Sequence, residues 1–131
     1  MLDKKNSHLQ ALHCVLCSMG IKETIDHLFF ECPFALTCWR YICPNFIPHQ
    51  SVHDSFAAIK EELKSPFHME VSVLVTWSIW RTRNNYIFNQ IQPSFYRCKM
   101  IFKEELILIS FPIFLTWLTA CAYYNIINKL Q

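Results

Sequence analysis

Glycine is almost absent from this chain of 131 residues, in which Gly20 is the only one. A phosphate-binding loop needs several glycines so that backbone N–H groups can surround the phosphate, and the nucleophile elbow of many hydrolases needs two. Neither motif can be present, and the sequence also lacks a Tyr-x-Asp-Asp motif of the polymerase type. These absences predict a protein that is not an enzyme.

Charge is also scarce, because charged residues make up 17% of the chain and the net charge is only +2. So small a charge does not by itself hold a protein to nucleic acid. The distribution is uneven, however, since no acidic residue lies between Glu70 and Glu104. The charged residues of that interval are all basic: Arg81, Arg83, Arg97, Lys99 and Lys103. A binding site for a polyanion is expected there.

The seven cysteines are an odd number, and the first residues, Met-Leu-Asp-Lys-Lys, do not begin a secretory signal peptide. This predicts an intracellular protein of the nucleus or cytoplasm, not a secreted one, with reduced thiols. Four cysteines are interpreted as buried or inert thiols: Cys38, Cys43, Cys98 and Cys121.

The other three cysteines join a histidine in the pattern C-x2-C-x9-H-x4-C, made by Cys14, Cys17, His27 and Cys32. Zn²⁺ in a structural site binds four such ligands in a tetrahedron, which leaves no open position for a catalytic water. The pattern therefore predicts one structural Zn²⁺. The alternatives are that these are ordinary buried thiols, or that His13 or Cys38 replaces one ligand.

The residues around the ligands predict local structure that suits a metal site. Gly20 lies where the chain must turn back and can adopt positive φ. Thr24 can cap a short helix, Ile25 to Glu31, which would carry the histidine and deliver Cys32 at its end. Pro33 then suits the first turn of a second helix, Phe34 to Ile42.

Three further helices are expected downstream. A partial capping box at Ser51 and Asp54 predicts a helix over 52–64, apolar periodicity predicts a long helix over 68–89, and Pro93-Ser94 can start another. The predicted apolar face of the long helix contains Val73, Leu74, Trp77, Trp80, Asn84, Ile87 and Phe88, with Arg81 and Arg83 away from it. A second metal site at His49, His53 and His68 is an alternative to the preferred interpretation that these histidines are solvated.

These elements predict a mainly α fold, in which a small zinc knuckle (a turn plus a helix) precedes a bundle of long helices. The predicted organisation is a zinc-binding knuckle and helix pair at 1–43, a proline-containing linker at 44–51, and a helical region at 52–131. Hydrophobic residues make up 53% of the sequence and aromatic residues 15%, so a folded core is expected.

The C-terminal region has no charged residue from Leu106 to Asn128, and the stretch 106–124 is long enough to cross a bilayer. Lys103 and Lys129 would flank such a span. Against this, Pro112 lies within the stretch, and a helix buried by its own domain is also apolar all round. A core helix pair broken at Pro112 is the preferred interpretation.

Two blocks of residues resemble one known family. The run from Cys14 to Trp39, including Glu23-Thr24 and Cys32-Pro33-Phe34-Ala35, resembles the zinc-binding module that follows the reverse transcriptase of plant LINE-type retroelements. The block from Trp77 to Phe88, with Trp-x-x-Trp, Arg-Asn and Ile-Phe, is similar to a helix that follows that module. Together the blocks cover roughly residues 8 to 110. The family has a longer helical stretch before the first cysteine, so the chain is expected to be a fragment.

The resemblance implies a non-catalytic module that binds RNA or DNA. The candidate contacts are Arg81, Arg83, Arg97 and Lys99, while Trp77 and Trp80 are expected in the core and not on a base-stacking surface. The alternatives are a zinc-stabilised helical protein-interaction domain, or a decayed fragment without independent function, associated with a membrane through residues 106–124. Salt dependence separates binding to phosphates from apolar association.

Overall fold

A computed structural model describes residues 13–109 together with residues 112 and 128. Within these residues, a short π-helix, His27–Glu31, precedes four α-helices: α1 (Pro33–Ile42), α2 (Val52–Leu63), α3 (His68–Asn89) and α4, which the structure describes over residues 95–109. The β-structure of the described residues is limited to one isolated bridge between His13 and Lys22. The predicted mainly α fold is confirmed, whereas the predicted division into domains stays a prediction.

The helices start where the sequence places their capping residues. Pro33 occupies the first turn of α1. The Ser51 hydroxyl accepts a hydrogen bond from the Asp54 backbone N–H at 3.1 Å before α2, and Ser94 accepts one from the Arg97 N–H at 3.1 Å before α4. Each hydroxyl satisfies a backbone donor that has no partner within its own helix. The predicted starts of these helices are therefore confirmed.

The segment between α1 and α2 is not helical, and it is held to both helices. The Arg40 Nε donates to the Phe46 carbonyl at 3.1 Å, and the Asn45 N–H donates to a Glu62 carboxylate oxygen at 3.0 Å. Phe46 itself is buried. The predicted linker is thus packed against the helices that it joins.

One hydrophobic core joins the metal-binding segment to the helices. Its centre is an aromatic group in which Phe30 stacks on Trp39 at 5.7 Å and meets Phe56 edge to face at 5.2 Å. Phe30 comes from the π-helix, Trp39 from α1 and Phe56 from α2. Residues Ile59, Val75 and Ile79 of α2 and α3 and Cys98 of α4 belong to the same buried cluster.

The predicted apolar face of α3 is wrong in large part. The buried face carries Ser72, Val75, Ser78, Ile79 and Thr82, together with Leu74. The hydroxyls of Ser72, Ser78 and Thr82 donate to the carbonyls four residues earlier, at 2.7, 2.7 and 2.8 Å. Because those hydroxyls are satisfied within the helix, they can be buried without an unpaired donor.

The opposite face of α3 exposes large apolar side chains. Trp77 is 46% exposed and Trp80 is 37% exposed, and Val73 and Phe88 are also exposed. The expectation that both tryptophans are core residues is therefore corrected. They cannot enter the core, because α3 turns its small hydroxyl-bearing face toward α2 and α4.

Most of the apolar stretch 106–124 lies outside the described residues, so neither interpretation of it is tested. Among the residues that the structure describes, no helix is both long enough and apolar enough to span a bilayer.

Candidate metal centre

The four predicted zinc ligands lie together. The ligand atoms of Cys14, Cys17, His27 and Cys32 are all within 4.8 Å of one another. The Cys14 and Cys32 sulfurs are 3.8 Å apart, and the Cys17 sulfur is 3.4 Å from the His27 Nε2. A tetrahedral zinc site with ordinary bond lengths separates two sulfurs by about 3.8 Å and a sulfur from a nitrogen by about 3.6 Å. The donor set and its spacing fit Zn²⁺.

A tight loop presents the first two cysteines. The Cys14 N–H donates to the Ile21 carbonyl at 2.8 Å, which closes the loop beside the bridge between His13 and Lys22. Gly20 turns the chain with φ of +66°, and no atom lies within 4 Å of the Cβ position that a larger residue would occupy. The predicted positive φ is confirmed, and its reason is the backbone conformation, not crowding.

A short helical turn presents the other two ligands. The Thr24 hydroxyl accepts a hydrogen bond from the His27 N–H at 3.1 Å, as expected of a cap. The helix that follows is a π-helix over most of its length, with the Cys32 N–H donating to the His27 carbonyl at 2.7 Å. This five-residue hydrogen bond joins the two ligand residues directly.

The site is largely enclosed, because His27, Cys14 and Cys32 are buried and Cys17 is half-buried. Burial raises the pKa of the Cys14 thiol, and it raises the pKa of Cys32 to about 12. Without a metal these two sulfurs keep their protons. A bound Zn²⁺ would displace those protons, because it binds the thiolate form. Four protein ligands would complete the coordination of Zn²⁺ and leave no position for a substrate.

The residues considered as substitute ligands lie outside the cluster. His13 is exposed, and the Cys38 sulfur contacts the Cys98 sulfur at 3.6 Å. His49, His53 and His68 join no such cluster within the described part of the chain. The His53 side chain is almost fully exposed, which agrees with the preferred interpretation of a solvated histidine.

Arg83 does not lie on the surface as predicted. Its guanidinium forms a two-point ion pair with Glu23, with Nη2 to Oε1 at 2.7 Å and Nε to Oε2 at 2.9 Å. The two side chains are only 10% and 12% exposed. The guanidinium also lies 4.7 Å from the centre of the Trp80 ring. A charge that is buried and neutralised in this way is not available to a phosphate, so Arg83 is removed from the candidate contacts.

The other three basic candidates remain accessible to solvent, but they differ in their exposed fractions and in the side chains that they contact. Arg81 is 42% exposed and contacts Glu105 at 3.4 Å, Arg97 is exposed, and Lys99 is half-buried with its Nζ 5.0 Å from the centre of the Tyr41 ring.

Glu23 is the site residue that sequence reasoning missed. It lies just before the Thr24 cap, and no local pattern relates it to a residue 60 positions later. Because residues 71 to 103 contain no acidic side chain, the sequence indicated only that a carboxylate partner for Arg83 must come from another part of the chain.

Comparisons with known proteins agree with the geometry of the metal centre. No curated protein and no solved structure matches the chain. All four clustered ligands lie within residues 1–39, the segment that matches the sequence family described as zinc-binding in reverse transcriptase.

Proposed function

We propose that the chain is a non-catalytic, zinc-stabilised module of retroelement origin that binds single-stranded nucleic acid. The observation that carries this proposal is the exposure of the Trp77 and Trp80 indoles next to an accessible arginine, Arg81. Aromatic rings stack on unpaired bases of any sequence, and a nearby guanidinium pairs with phosphate.

The three side chains share one face of α3. Trp80 lies three residues after Trp77, and Arg81 lies four residues after Trp77. Residues at those two intervals are neighbours on a helix surface. Behind the exposed surface, the Arg83 guanidinium lies against Trp80, and Phe29 contacts the same indole with a ring separation of 6.4 Å. These contacts hold one of the two stacking rings in place before any ligand binds.

Arg81 is available to a phosphate at small cost. Its contact with Glu105 is long at 3.4 Å, and both side chains are partly solvated. Exposed ion pairs of this kind contribute about 0–1 kcal/mol, so a phosphate can displace the carboxylate. Arg97 and Lys99 on α4 supply further positive charge, and Tyr96 beside them is exposed.

Binding of labelled oligouridine and oligodeoxythymidine to the zinc-loaded chain, measured by fluorescence anisotropy at low and moderate salt, tests this proposal. Trp77→Ala should weaken binding by roughly 5- to 150-fold, since stacking of one base contributes about 1–3 kcal/mol. Arg81→Ala should weaken binding and also flatten the salt dependence by about 0.7 in the logarithmic slope.

Two substitutions serve as matched controls. Met69→Ala removes another exposed apolar side chain from α3, and Lys60→Ala removes an exposed cation from α2; neither should change the affinity. Absence of binding at low salt, or equal losses for Trp77→Ala and Met69→Ala, would overturn the proposal.

A zinc-stabilised protein-interaction module is the second candidate. It is favoured by the exposed Val73, Trp77 and Phe88 on α3 and by Ile107 and Leu108 on α4, because clustered apolar side chains at a surface are typical of protein interfaces. Association through such a surface would be nearly independent of salt, whereas binding to phosphates falls steeply as salt rises.

A further inference from the structure

A second pair of sulfurs lies outside the metal centre. Cys38 of α1 and Cys98 of α4 are 60 residues apart in sequence, yet their sulfurs are 3.6 Å apart. Both are buried, with exposed fractions of 7% and 3%. Neither belongs to the group of four metal-binding side chains.

The two thiols differ in their electrostatic surroundings. The hydrogen bond between them, in which the Cys38 thiol donates to the Cys98 sulfur, raises the pKa of Cys38 and lowers the pKa of Cys98. Cys98 is therefore the better nucleophile of the two, and Cys38 keeps the proton.

A pocket connects this pair with the solvent. It is lined by both cysteines, by Val75 and Ser78 of α3, and by Tyr41 and Lys99, and its volume is about 20 Å³, enough for a molecule of about the size of water. Tyr41 is about half exposed, so the walls of the pocket reach the surface. A molecule as small as hydrogen peroxide can enter it.

We propose that Cys38 and Cys98 are an oxidation site for small peroxides, at which they form a disulfide that links α1 to α4. Disulfide formation brings the sulfurs from 3.6 Å to about 2.05 Å, a movement that side-chain rotation into the adjoining pocket supplies. Free buried cysteines are usually inert, but each of these two has a second thiol in contact and an adjoining pocket that reaches the surface.

The reaction proceeds in two balanced steps. The Cys98 thiolate attacks one peroxide oxygen, the O–O bond breaks, and Cys98 becomes a sulfenic acid while the second oxygen leaves as hydroxide, which takes up a proton to form water. The Cys38 sulfur then attacks the Cys98 sulfur, the S–O bond breaks, and the oxygen leaves as a second water with the Cys38 proton. Two thiols are oxidised to one disulfide and one peroxide is reduced to two waters.

Titration of the zinc-loaded full-length chain with hydrogen peroxide tests this proposal. A Cys121→Ser background prevents cross-links through that cysteine. After each addition, free thiols are alkylated under denaturing conditions, disulfide-linked peptides are identified by mass spectrometry, and released zinc is measured with a chromogenic chelator. One peroxide per chain should yield a Cys38–Cys98 linked peptide, the mass of two hydrogen atoms lighter than the reduced pair, while zinc stays bound.

Three variants separate this outcome from general thiol oxidation. Cys98→Ser and Cys38→Ser should each abolish the linked peptide, and Cys38→Ser should leave Cys98 as a sulfenic acid that a dimedone probe captures. Cys43→Ala removes another fully buried core thiol and should leave the cross-link unchanged. The proposal is overturned if both cysteines remain alkylatable when zinc has been released, or if the first disulfide contains Cys14, Cys17 or Cys32.

Discussion

Replacing Glu23 with glutamine tests how the metal-binding segment is held to α3. Glu23 is the carboxylate partner of Arg83, and both side chains are almost completely buried. Removing one member of a buried ion pair typically costs about 3–5 kcal/mol, because the other charge loses its compensation in a medium of low dielectric constant. Glutamine keeps one acceptor oxygen for the Arg83 guanidinium, so we expect a loss of unfolding free energy at the lower end of this range, about 3 kcal/mol. That is a large fraction of the roughly 5–15 kcal/mol by which domains are stable.

Urea denaturation of the zinc-loaded protein, followed by circular dichroism, measures this loss. With a slope of about 2 kcal/mol per molar, the unfolding midpoint should fall by about 1.5 M. Glu105→Gln is the matched control, because the Arg81–Glu105 pair is longer and more exposed and should contribute no more than about 1 kcal/mol.

A double-mutant cycle with Arg83→Met completes the test. The double variant has no uncompensated charge, so it should be less destabilised than the sum of the two single variants by about 2 kcal/mol. If the two losses are additive, or if Glu23→Gln shifts the midpoint no more than Glu105→Gln, the buried pair does not hold the segment and the reasoning is refuted.

Three further predictions concern the metal, the buried thiols and a helix end. Cys14→Ser or His27→Ala should abolish stoichiometric zinc binding and unfold at least residues 13 to 43, since structural zinc supplies about 10–16 kcal/mol to small domains; full zinc content with unchanged helicity would contradict this. Burial raises the pKa of Cys43 to about 11 from an ordinary value near 9, so the folded state binds more protons than the unfolded state between these pH values. The urea midpoint of the zinc-loaded protein should accordingly fall as the pH rises from 9 to 11, and it should fall less in Cys43→Ala. Lys64→Gly should raise the melting temperature by the equivalent of about 1 kcal/mol, because Lys64 ends α2 with φ of 47°, a conformation that glycine adopts more easily; a lower melting temperature would argue against it.

The helices and the cluster of four candidate ligands were predictable because their determinants are local. Pro33, Ser51 and Ser94 act on the residues immediately after them, and a ligand pattern can be read as a spacing. The observed bounds of α1, α2 and α3 differ from the predicted bounds by no more than one residue at either end.

The buried face of α3 was not predictable from hydrophobicity. A periodicity argument assigns serines and threonines to the solvent side and tryptophans to the core. Here Ser72, Ser78 and Thr82 bond to their own helix and become small core residues, which lets neighbouring helices approach closely. Close packing between helices therefore decided which face of α3 is buried, and such packing is a property of the tertiary structure.

The π-helix was also beyond local sequence reasoning. Cys32 follows His27 by five positions, and in a regular α-helix that interval would place the two residues about 140° apart around the axis. The wider turn of a π-helix brings them round to the same side, toward Cys14 and Cys17. The π-helix therefore accompanies the convergence of the four candidate ligands, a tertiary feature that local sequence does not show.

Because the core is continuous, zinc bound at the four-residue cluster would affect the lifetime of the whole protein. Phe30 lies between two of the candidate ligands in sequence and packs on Trp39 of α1, and Phe56 of α2 packs on both rings. Loss of the metal would then expose core residues of the helices as well as those of the knuckle. Cells degrade proteins in proportion to their unfolded fraction, and a ligand that binds only the folded state reduces that fraction. The steady-state amount of this protein should therefore rise and fall with the concentration of free zinc in the cell.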